Sequence, residues 1–119
     1  MHAKKTGALI RASAVAGAIM GGGSTRHIDA IDTAATELGL AFQIIDDVLD
    51  VEGASADLGK TAGKDAASGK PTYPALYGVA RSRQMAAGCL ERAGAALAAS
   101  HLADSRLLQI GRWIVERGN

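Results

Sequence analysis

The segment Leu38–Asp50, LGLAFQIIDDVLD, sets three carboxylates into a stretch that is otherwise almost wholly apolar. Its apolar residues do not alternate, so it reads as a helix whose side chains turn by about 100° per residue. On that wheel Gly39, Gln43, Asp46, Asp47 and Asp50 share an arc of roughly a third of the circle. Leu38, Leu40, Ala41, Phe42, Ile44, Ile45, Val48 and Leu49 fill the remainder. A helix apolar on most sides is packed on most sides, so its narrow acidic arc is expected to look into a cavity. Carboxylates buried there without partners are costly, and like charges a few ångströms apart add to the cost. A hard divalent cation with oxygen ligands relieves both, and Mg²⁺ usually arrives with a phosphate-bearing ligand. The segment therefore reads as a metal–diphosphate site.

The other long segments are helical in pattern too, and no β-branched run is bounded by hairpin turns. Lys4 to about Met20 reads as a small-residue helix closed by Gly21-Gly22-Gly23. Ser24 or Thr25 can cap a second helix, from about Arg26 to Val51, that ends near Gly53. Gly53 to Lys70, polar and rich in Gly and Lys, reads as a mobile loop. Pro71, Pro74 and Ala75–Ala80 suggest a short helix. Two more are expected at about Ser82–Ser100 and Asp104–Arg117, with Trp113 and Ile114 anchoring the last. The expected architecture is all-α, about five helices without a sheet, forming a single partial domain over 1–119.

Composition excludes several function classes. With one Trp, one Phe and two Tyr in 119 residues, a core must come from Ala, Leu, Ile and Val, side chains that suit close helix packing. A net charge of +1 gives no electrostatic case for nucleic acid. Cys89 is the single cysteine, so no internal disulfide forms, in keeping with a reducing compartment. It reads as a small core residue. The Leu9–Met20 stretch is interrupted by Arg11 and is too short to span a bilayer, so neither a signal peptide nor stable membrane insertion is expected. A cytoplasmic setting is the simplest.

Cations cluster around the acidic segment. Lys60, Lys64 and Lys70 lie in GKTAGKDAASGKPT, whose glycines let lysines reach over a cavity mouth and meet diphosphate oxygens as point charges. Lys5 and Thr6 supply a further cation and a hydroxyl near a helix start. Gly59-Lys60-Thr61 mimics the end of a Walker A loop, but position 54, where that loop needs Gly, is Ala, and the preceding element is a helix. His2, His27 and His101 lack ligand spacing for zinc, and no nucleophile–base pair supports covalent catalysis.

FQIIDDVLD, followed by LGK and then GKPTYPAL, resembles the second aspartate-rich motif of the trans-polyprenyl diphosphate synthases, and most of all bacterial short-chain, farnesyl-type members. The opening MHAKKTGALIRA is similar to that family's Lys-Thr helix, so the resemblance covers nearly the whole chain. It implies an isoprenoid-synthase helical bundle. In it Asp46, Asp47 and Asp50 would hold Mg²⁺ against the diphosphate of an allylic substrate, and Lys5, Lys60 and Lys70 would contact that diphosphate. Thr6 and Gln43 would present oxygen dipoles to the allylic carbon. The implied reaction ionises the C–O bond to an allylic cation and pyrophosphate. The double bond of isopentenyl diphosphate then attacks, and a proton leaves to the departing pyrophosphate.

The family carries two facing aspartate-rich helices and commonly forms homodimers, whereas this chain holds one D-D-x-x-D. Three readings stay open. One is the C-terminal portion of a prenyltransferase, carrying half of the metal site. Another is a binding subunit whose partner chain supplies the missing helices, and the last an alanine-rich structural bundle with an acidic patch.

Overall fold

Where the sequence places long runs of helix formers between Gly, Pro and Ser punctuation, the computed structural model forms helices. It describes residues 2–56 and 71–118, with side chains over 5–53 and 71–118. Among them are five helices and no strand: α1 (His2–Met20), α2 (Thr25–Ala56), α3 (Tyr73–Tyr77), α4 (Val79–Ala99) and α5 (Arg106–Glu116). The expected all-α architecture is thus present. The acidic helix runs beyond Gly53 to Ala56, and most of the expected loop, with Lys60, Lys64 and Lys70, lies outside the described residues.

Local chemistry fixes the element ends. At the close of α1 the Gly23 amide donates to the Ala18 carbonyl at 2.9 Å while Gly22 turns to φ 78°. That left-handed step is one a side chain rarely adopts. Ser24 then caps α2, its hydroxyl accepting from the His27 amide at 3.2 Å. Thr72 caps α3 in the same way through the Ala75 amide, with Pro74 inside the first turn.

α2 is the axis around which α1, α3, α4 and α5 pack. Its buried Ala34, Leu38, Ala41, Ile45 and Val48 recur at alternating spacings of four and three, one continuous seam. The facing seam of α4 is Ser82, Ala86, Cys89, Ala93 and Leu97, mostly small side chains that let the two backbones approach. α5 closes the lower end with Leu108, Gly111 and Ile114. A Cβ at Gly111 would sit 2.6 Å from Leu38 Cδ2, so only glycine admits that leucine. Ile114 anchors α5 as expected. Trp113 does not: it is 65% exposed, because it faces away from this seam.

On the opposite side α1 lies antiparallel to α2. The closest approach is backbone on backbone, where a Cβ at Gly39 would meet Gly7 Cα at 3.1 Å. Arg11 pairs with Asp32 further along the same contact, one of its guanidinium nitrogens lying 3.1 Å from the second carboxylate oxygen. With no side chain between the helices at Gly7 and Gly39, a cleft opens beside them.

Candidate diphosphate site

That cleft has a volume of about 500 Å³, within the usual range for small-ligand pockets. α1 contributes Gly7, Ala8 and Arg11; α2 contributes Thr36, Gly39, Leu40, Gln43 and Asp47; Pro71 and Tyr73 close one end. The acidic arc therefore does meet a cavity, through Asp47 and Gln43.

Asp47 is fastened there from two directions. The Gln43 amide nitrogen donates to its Oδ1 at 2.7 Å, and the Tyr73 backbone amide donates to its Oδ2 at 3.3 Å. Tyr73 is the first residue of α3 after the Thr72 cap, so its amide has no partner within the helix and donates to α2 instead. Burial pushes the Tyr73 phenol above its ordinary range, with smaller contributions from Cys89, Asp47 and Tyr77. It stays neutral at physiological pH.

Asp46 sits about a quarter-turn away and looks elsewhere. Its Oδ1 accepts from an Arg117 guanidinium nitrogen at 3.1 Å, and 44% of its side chain remains open to solvent. Asp50 is exposed. Among the described residues no three His, Cys, Asp or Glu side chains converge on one point that could hold a metal ion. The acidic motif is thus an edge with two anchored carboxylates and one open one, and not a closed cage.

The remaining expected site residues divide. Gln43 lies on the cavity wall, but its amide is committed to Asp47 as a donor. Thr6 is half-buried and Lys5 exposed near the start of α1, immediately before the cavity-lining Gly7 and Ala8. Lys60 and Lys70 lie outside the described residues. Sequence reasoning missed Arg11, taken only as an interruption of an apolar run, although it shares a helix face with Gly7 four residues before it. It missed Arg117 as well. The one available sign was Trp113 four residues earlier, a spacing that stacks a guanidinium on a ring. No local pattern links Arg117 to Asp46, 71 residues away.

Comparison with known proteins gives this all-α, acidic-edged bundle a family. The polyprenyl synthetase family model matches residues 1–102, and the chain belongs to that family. It is 52% identical over 86 residues to a chloroplastic geranylfarnesyl diphosphate synthase of Leucosceptrum canum, covering 72% of this chain and 24% of that protein. It is 55% identical over 86 residues to the mitochondrial geranylgeranyl pyrophosphate synthase 10 of Arabidopsis thaliana, covering 72% and 25%. Geranylgeranyl pyrophosphate synthase 4 of the same plant is 49% identical over 84 residues, covering 71% and 23%. The chain spans about a quarter of the length of these relatives. No helix among the described residues is long and apolar enough to cross a membrane.

Proposed function

We propose that this chain carries the second metal–diphosphate half-site of a trans-polyprenyl diphosphate synthase, which condenses an allylic diphosphate with isopentenyl diphosphate. The observation that carries the reading is Asp47, held by Gln43 and the Tyr73 amide at the wall of a cleft whose opposite wall bears Arg11. The complementary acidic helix would come from outside these residues, in a homodimer-forming longer enzyme or on a partner chain.

The donor set fits Mg²⁺. It consists of carboxylate oxygens alone, two of them oriented by outer partners, with Asp46 and Asp50 reachable from solvent. Mg²⁺ uses one or two carboxylates and fills its shell with water and phosphate, so an open edge suits it better than a cage would. Asp46, Asp47 and Asp50 would hold it, and there it would offset the negative charge that grows on the leaving diphosphate.

The chain's own groups do the rest. Arg11, with Lys5, Lys60 and Lys70 in the roles implied by the family resemblance, binds and orients diphosphate oxygens. Gln43 and the Tyr73 amide keep Asp47 aimed. Leu40, Ala8 and the paired glycines give the cleft apolar walls that keep water from the allylic cation. As the C–O bond breaks, its electron pair leaves with pyrophosphate. The isopentenyl double bond then forms the new C–C bond, and the proton released passes to pyrophosphate.

For the product we favour a prenyl chain longer than farnesyl, because the relatives are named for geranylgeranyl and geranylfarnesyl products. The cytoplasmic setting expected from the sequence remains part of the reading, beside relatives named as chloroplastic and mitochondrial. Incubation with Mg²⁺, an allylic diphosphate and isopentenyl diphosphate tests the half-site. Clamping from one side does not hold the leaving group in line, so product should stay near background with the chain alone. Sustained condensation by the chain alone would refute the half-site.

A further inference from the structure

An arginine at a helix end is ordinarily a solvated charge, but Arg117 is held from several sides. Its guanidinium lies 5.0 Å from the centre of the Phe42 ring and 5.5 Å from that of Trp113. Its Nε donates to the Ile114 carbonyl at 3.3 Å, and one guanidinium nitrogen reaches Asp46 Oδ1 at 3.1 Å. Its own carbonyl accepts from Arg83 at 3.3 Å, and Arg83 is in turn paired with Glu52 at 2.8 Å. The next residue, Gly118, turns at φ 80° directly against α2, where a Cβ would fall 2.6 Å from Leu49 Cδ2. Phe42, Asp46 and Leu49 form one stripe of α2, so the end of α5 is seated along the edge of the acidic arc.

We infer that Arg117 is a positioning residue of the metal–diphosphate site: clamped between Phe42 and Trp113, it takes one oxygen of Asp46 and leaves the other turned outward for the cation. The inference rests on the proposed half-site. A carboxylate has lone pairs on both oxygens, so one guanidinium contact does not exhaust it. Because the two rings and the Ile114 carbonyl fix the guanidinium independently of Asp46, it has no need to swing away when a cation arrives. Asp46 then stands to Arg117 as Asp47 stands to Gln43 and Tyr73, and both adjacent carboxylates are aimed before any ligand enters. Outer partners of this kind, when removed, typically weaken metal affinity by about 10–100-fold.

Trp113 is the chain's single tryptophan and reports on the clamp without any label. Binding of Mn²⁺ with pyrophosphate can be followed by paramagnetic resonance in the wild type, Arg117→Met and Arg117→Lys, with Trp113 emission recorded under Mg²⁺ and pyrophosphate. The expected result is roughly tenfold weaker binding in Arg117→Met and partial recovery in Arg117→Lys, which keeps the charge but not the planar fork. Wild-type emission should stay constant as the site fills. Equal or tighter binding in Arg117→Met, or an emission change showing that Arg117 leaves its slot, would overturn the positioning role. Absence of binding in the wild type would overturn the half-site itself, and the inference with it. Should Arg117→Met fail to fold, the lysine variant and the wild-type emission still decide.

Discussion

The carboxylates of the acidic edge are held in direction by their neighbours. Gln43 and the Tyr73 amide donate to Asp47, and Arg117 donates to Asp46. Only Asp47 among the three carboxylates reaches the cleft, which is why a helical wheel alone overstated the cluster. The cleft's other charge, Arg11, is tied to Asp32. The hydrogen bond from Arg11, reinforced by its charge, holds the Asp32 carboxyl below the ordinary carboxylate range. A folded-state pKa below the unfolded one gives a contribution that is whole above the unfolded value, about 3.9, and is lost as pH falls through the folded one. Thermal midpoints measured from about pH 5 down to about pH 3 should therefore fall more steeply in the wild type than in Arg11→Ala. Parallel profiles would show that the pair does not tie α1 to α2.

Among the elements, α2 carries both the core seam and the acidic edge, so the packing of one positions the other. Leu38 is 1% exposed and touches the place where only glycine fits at position 111. Leu38→Ala should destabilise the chain by about 2–5 kcal/mol in denaturant unfolding, through lost burial and the cavity left behind. Leu76→Ala, at a position 63% exposed, should change stability by less than about 0.5 kcal/mol. Equal effects would mean the α2 seam is not the core. Helix identity was legible in the sequence because each helix is long and bounded by strong punctuation: the triple glycine, Ser24, and the Pro71–Pro74 pair. Interhelical geometry was not. The Gly7–Gly39 approach that opens the cleft, the Leu38–Gly111 fit and the Arg117–Asp46 pair all join distant positions, and nothing local encodes them. Trp113 was misjudged for the same reason: an aromatic near a helix end suggests an anchor, yet its neighbour Ile114 faces the core.

At the scale of the whole molecule, one side of α2 builds a core and the other builds a cleft edged with acid. The D-D-x-x-D segment lies within the residues that the family model matches, and the chain spans about a quarter of the length of its relatives. The central claim is that this wall grips magnesium-bridged pyrophosphate through Asp47. Titration calorimetry with pyrophosphate in excess Mg²⁺ tests it most directly, on the wild type and Asp47→Ala side by side. Heat of saturable binding in the wild type, weakened by at least about tenfold in the variant, is the expected result. Unchanged binding in Asp47→Ala, or none in the wild type, would contradict it.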